Sequence, residues 1–137
     1  MLRVFLSVMI TMTISNVHAL DRRNATINLI NDFATCFAYW NIVEQAAPNP
    51  NDTTFKKRVQ IEQLMTYNLG KYYTKELGLK EESFDASVDN MYKHLLGEEM
   101  GGRWGNFIIV KNKYGDLCLS FETKDGVPER YLYWLSQ

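Results

Sequence analysis

Apolar residues recur at helical spacing along most of the chain. Between Asn24 and Ala47, the residues Leu29, Phe33, Cys36, Trp40, Val43 and Ala47 step by four, three, four, three and four, which places them on one face of an α-helix. Ile30 and Phe37 widen that stripe, Asn24 or Thr26 offers a start, and Pro48-Asn49-Pro50 offers a stop. A second helix is expected over about Thr54 to Leu77, with cap candidates in Asn51-Asp52-Thr53-Thr54 and a glycine stop at Gly78. Its apolar set includes Phe55, Val59, Leu64, Met65, Leu69 and Tyr73, while Lys56, Lys57, Arg58 and Glu62 fall on the outward face. Gly70 weakens this helix by about 1 kcal/mol relative to alanine. Ser83 caps a third helix over about Phe84 to Met100, with Phe84, Val88, Met91, Tyr92, Leu95 and Leu96 inward, and Gly101-Gly102 breaks it.

Residues 103–123 carry two patterns. As a helix they present Trp104, Phe107, Lys111, Tyr114, Cys118 and Phe121, a stripe interrupted by one lysine. As a β-hairpin, Phe107 to Val110 and Leu117 to Phe121 are strands around Asn112-Lys113-Tyr114-Gly115-Asp116. Short apolar runs do not separate the two by period alone. Pro128 then suits the first turn of a short closing helix bearing Tyr131, Trp134 and Leu135, which has to dock on the rest to be stable.

The N-terminus has a different pattern. Arg3 is followed by a mainly apolar core from Val4 to Ile14 and then Val17-His18-Ala19, small at the first and last of these three positions. This is the layout of a secretory signal peptide cut after Ala19, with an apolar core shorter than the roughly 20 residues that span a bilayer. The expectation is a leader at residues 1–19, a single domain at 20–137, a periplasmic or secreted location, and no membrane span once the leader is gone. Both cysteines, Cys36 and Cys118, lie beyond the cut. Export with an even cysteine count favours one disulfide, which closes a loop of about 80 residues and contributes about 4 kcal/mol through chain entropy.

Composition narrows the function classes. Of 137 residues, removing 19 leaves 118, enough for one compact core. Arg3 is the sole charge lost, so 15 basic residues become 14 against 16 acidic ones, which argues against a nucleic-acid binder. The 46% hydrophobic and 13% aromatic content excludes a disordered chain. His94 is the one histidine left after the leader, so no metal site built on paired histidines is expected, and no cofactor.

The segment Cys36-Phe37-Ala38-Tyr39-Trp40 resembles the cysteine-small-aromatic signature of short exported helical proteins of bacteria and phages. Lys113-Tyr114-Gly115-Asp116-Leu117-Cys118 resembles their second cysteine motif, and Pro128-Glu129-Arg130 with Tyr133-Trp134 resembles their closing helix. The resemblance implies an all-α fold of four to five helices with a Cys36–Cys118 disulfide, and it implies no activity. It also favours the helix over the hairpin at 103–123, although Gly105 and Gly115 speak for the hairpin.

Candidate chemistry is sparse. His94 and Glu98 stand one helical turn apart and Glu99 and Arg103 follow closely, an acid/base or ion-binding cluster or an ordinary ion pair on a solvated face. Gly101-Gly102-Arg103-Trp104-Gly105 reads either as a binding loop or as a helix connection with Trp104 docked in the core. Tyr39, Tyr73 and Tyr133 fall off the main stripes and are the candidates for an exposed aromatic binding patch. Asn24 and Asn51 fit the N-glycosylation pattern, which matters only in a eukaryotic host. The function expected is a non-catalytic binding or interaction protein of the periplasm or cell envelope, whose partner is a protein or an envelope component. The alternatives are a periplasmic stress chaperone and, further off, a small hydrolase using His94; no catalytic residue is assigned.

Overall fold

The computed structural model describes residues 2–49 and 51–137, with side chains from residue 18 onward. The proposed leader at 1–19 therefore lies almost wholly outside the described side chains. Five α-helices follow one another: α1 (Leu2–Gln45), α2 (Thr53–Glu76), α3 (Glu82–Lys93), α4 (Phe107–Ser120) and α5 (Gly126–Leu135). A π-helical segment, His94–Glu99, extends α3, and a 3₁₀ turn, Trp104–Asn106, leads into α4. Among the described residues there is no strand, and no helix is long and apolar enough to cross a membrane.

α1 is the axis of the molecule. α2, α3, α4 and α5 all pack against it. The predicted stripe of Leu29, Phe33, Cys36, Trp40 and Val43 is buried, and so are Ala25, Ala34, Ala38, Tyr39 and Ile42 on other faces. A helix apolar around its circumference has to be enclosed by other elements. α1 also passes through Asn24 and Thr26 without starting there; the Thr26 hydroxyl donates back to the Arg22 carbonyl instead of capping an end.

Local chemistry sets the other ends. The Asp52 carboxylate accepts the Phe55 N–H at 2.9 Å and caps α2. α3 begins at Glu82, so Ser83 lies inside its first turn rather than at its cap. The π segment closes with the Met100 N–H on the Leu95 carbonyl at 3.0 Å. Gly101 and Gly102 follow at φ 60° and 69°, a left-handed reversal that glycine makes without steric cost.

Residues 103–123 are helical, and the hairpin alternative is corrected. Val110, Cys118 and Phe121 are buried, repeating on one side of α4. Gly115, which spoke for a turn, instead permits close approach: a Cβ there would lie 3.3 Å from the Tyr39 hydroxyl of α1. Cys36 and Cys118 are bonded, joining α1 to α4 across 82 residues of sequence.

α5 is held by a buried carboxylate. Asp32 of α1 accepts from Arg130 Nε at 2.6 Å, Arg130 Nη2 at 3.2 Å and Trp134 Nε1 at 2.6 Å. The guanidinium also lies 4.7 Å from the ring centres of both Tyr133 and Trp134. This three-donor contact supplies the docking that a ten-residue helix requires. On the opposite side, Asp85 of α3 accepts from the Tyr67 hydroxyl and the Lys71 ammonium of α2. That ammonium holds the Asp85 carboxyl below the usual carboxylate range.

Gly70 has a packing role that outweighs its helix propensity. A Cβ there would lie 2.1 Å from the Phe84 ring, which is fully buried against α2. Gly70→Ala is expected to destabilise the protein by about 1–3 kcal/mol in chemical denaturation, although alanine favours an isolated helix. Asp32→Asn is expected to cost about 2–4 kcal/mol and to expose α5 to limited proteolysis before the rest of the chain, because the Arg130 charge loses its partner.

Candidate functional site

α2 and α4 flank α1 with little direct packing between them, and an apolar cleft of about 290 Å³ opens there. Its floor is α1, through Tyr39, Trp40 and Val43, continued by Ala46, Ala47 and Pro48 beyond the helix end. α2 contributes Phe55, Arg58 and Val59, and α4 contributes Phe107, Lys111 and Leu119. The period of each helix explains the arrangement. Phe55 and Val59 stand one turn apart on α2, and Phe107 and Lys111 one turn apart on α4, so each helix turns one edge toward the gap.

The polar chemistry of the cleft is specific. Arg58 and Lys111 are the charged groups lining it, and both are cationic. Arg58 Nη2 donates to both carboxylate oxygens of Glu122 at 3.0 Å, bridging α2 to the end of α4. Trp40 is 95% buried, and its indole N–H has no acceptor among the described residues. A buried donor left unmade costs about 1–3 kcal/mol. The other such atom is Glu62 Oε2, one turn beyond Arg58. Glu62 is 8% exposed, which corrects its expected outward position. Burial pushes its carboxyl above the usual carboxylate range, the nearby Glu122 adds to this, and Arg58 opposes it.

The predicted tyrosine patch does not form. Tyr39 is buried beside Trp40, with ring centres 5.1 Å apart, so its expected exposure is corrected; it lies in the cleft floor instead. It fell off the assumed stripe because α1 is covered on more sides than one stripe describes. Tyr73 is half-buried, stacked at 5.9 Å on Phe33. Tyr133 is exposed, beside Trp134 at the far end of the chain.

His94 and Glu98 do meet, with Nδ1 to Oε2 at 2.8 Å. The π register adds a partner that four-residue spacing does not predict. Glu99, five residues on, comes within 3.3 Å of His94 Nε2. Glu99 also accepts from the Lys113 ammonium and from the Tyr114 hydroxyl, the latter at 3.1 Å, which ties the π segment to α4. Lys113 holds the Glu99 carboxyl below the usual range. Arg103 is exposed and forms no ion pair with this cluster among the described residues. Trp104 is 42% exposed, so the reading that docked it in the core is corrected. No group of three or more histidine, cysteine or acidic residues has metal-binding geometry among the described residues. The acceptor asparagines Asn24 and Asn51 are both exposed.

The sequence reading missed three functional or structural groups. Asp32 is the lone charge between Asn24 and Val43, a signal for a buried carboxylate with a distant partner. Lys111 was visible as the break in the α4 stripe, and that break faces the cleft. Trp40 was read as core, which it is, but its unpaired N–H depends on the surrounding helices. No protein-family model, curated protein or solved structure matches the chain.

The two perturbed glutamates have opposite linkage to pH. The folded-state pKa of Glu62 is raised, so its contribution favours folding at low pH and is lost as pH rises through that value. That of Glu99 is lowered, so its contribution is present at neutral pH and is lost as pH falls through it. Glu62→Gln is therefore expected to raise Tm at about pH 7 by roughly 2–5 °C, with the gain vanishing toward about pH 4. Glu99→Gln is expected to lower Tm at neutral pH, with the loss vanishing on acidification. Thermal melts across pH check both signs.

Proposed function

We propose that the chain is an exported, disulfide-closed, non-catalytic binding protein whose ligand seats in the cleft between α1, α2 and α4. One observation carries this reading: an apolar cleft floored by Trp40 and edged by Arg58 and Lys111, the second of which has no ion-pair partner among the described residues. A concave, mostly apolar site with a few convergent polar groups is the usual form of a small-ligand site.

Export is supported by the leader pattern at 1–19 and by the Cys36–Cys118 bond, which suits an oxidising compartment such as the periplasm or the cell exterior. The resemblance to short exported helical proteins points to the same location. Partners in the cell envelope fit this reading, and the slightly acidic balance does not favour nucleic acid.

Ala47 is half-buried at the lip of the cleft, where a large side chain fills the space without entering the core. Nile red, a neutral apolar dye, is expected to bind saturably at one site per chain and to lose that binding in Ala47→Trp, with Tm unchanged. Fluorescence titration of the two proteins tests this. Non-saturating or variant-independent fluorescence removes the cleft as the binding site.

A further inference from the structure

We propose that the cleft recognises a small anionic amphiphile, a single apolar chain or ring carrying one carboxylate. The inference rests on the reading of the cleft as a binding site and adds the chemical class of its ligand.

Size comes first. A cavity of about 290 Å³ stands at the small end of ligand pockets, which run from about 300 to 1,000 Å³. It takes one short chain or one ring, not a two-chain lipid. The body is set by Trp40, Val43, Phe55, Phe107 and Leu119, which offer aromatic and aliphatic surface and no hydrogen-bonding groups apart from the indole N–H.

The head is set by charge. Of the residues lining the cleft, the two that carry charge are Arg58 and Lys111, on opposite walls. Arg58 commits Nη2 to Glu122, and its Nε and Nη1 have no acceptor among the described residues. Lys111 is exposed and has no ion-pair partner among them. With Arg58 paired to Glu122, Lys111 supplies the net positive charge at the opening, which attracts an anion and repels an ammonium. The guanidinium still has the donors to bind a carboxylate alongside Glu122. A free lysine, the open donors of the guanidinium and an apolar floor therefore select the same ligand class.

Three probes that share one chain separate body from head: decanoate, decanol and decyltrimethylammonium, titrated below their micellar concentrations into the full chain and followed by calorimetry. Decanoate is expected to bind about tenfold tighter than decanol, and the ammonium weakest. Lys111→Gln, an exposed substitution, is expected to abolish the preference for decanoate while decanol binding persists, and Lys111→Arg to restore it. Equal affinity for decanoate and decanol overturns the anion recognition and leaves the cleft standing as an apolar site. Binding of none of the three overturns both the ligand class and the binding-site reading. Anionic phosphatidylglycerol vesicles bound in place of monomeric decanoate would assign the face to a lipid surface and overturn the proposal. Decanoate binding that survives Ala47→Trp places the site elsewhere and overturns it too.

Discussion

α1 is buried on most of its circumference from Leu29 to Val43, and that constraint organises the rest of the molecule. A helix with one apolar stripe is satisfied by one neighbour. This one needs neighbours on most sides, and α2, α3, α4 and α5 are those neighbours. Each outer helix is comparatively short or polar and gains most of its stability from the surface it covers. The disulfide and the Asp32 contact then fix the two segments most distant in sequence, α4 and α5, onto the axis. Without them, loop closure over 82 or 98 residues would rest on apolar contact alone.

The polar contacts have a consistent arrangement. Asp32 with Arg130 and Trp134 joins α1 to α5. Asp85 with Tyr67 and Lys71 joins α3 to α2. Glu99 with Lys113 and Tyr114 joins the π segment to α4. In each case a carboxylate accepts a cation and an aromatic hydroxyl or indole donor. A carboxylate with several donors specifies one register between two helices, whereas apolar surfaces slide with little penalty. Glu62 is the exception: it is buried, incompletely partnered and close to Glu122, so it opposes folding at neutral pH. Its position beside the cleft places a local loss of stability next to the proposed binding surface.

The cleft follows from the same geometry. Four helices around a fifth do not close completely, and the gap falls between α2 and α4, where the Arg58–Glu122 bridge spans it without filling it. Trp40 lies in the floor, and its indole N–H is buried with no acceptor among the described residues. Pairing Lys111 with a carboxylate would have neutralised this edge of the site. In the structure it remains a free charge among the described residues and gives the opening its sign, since Arg58 is paired with Glu122.

The helices were legible in the chain because their pattern is local. Spacing of four and three located α1, α2 and α3, Asp52 marked a cap, Gly101-Gly102 marked a break, and an even cysteine count pointed to the bond. Residues 103–123 were ambiguous because a short apolar run fits either period, and contact between Gly115 and Tyr39 settled them as a helix. The burial of α1 on most sides, the exposure of Trp104, the inward turn of Glu62 and the five-residue pairing of His94 with Glu99 were not legible. Each depends on which neighbour arrives from elsewhere in the chain. The cleft belongs to that group as well. The sequence determined which residues could bury, pair or turn, since those tendencies act within a few residues. Only the tertiary structure decided which stayed unpaired, because an unpaired donor or cation is defined by the partners that packing keeps away from it.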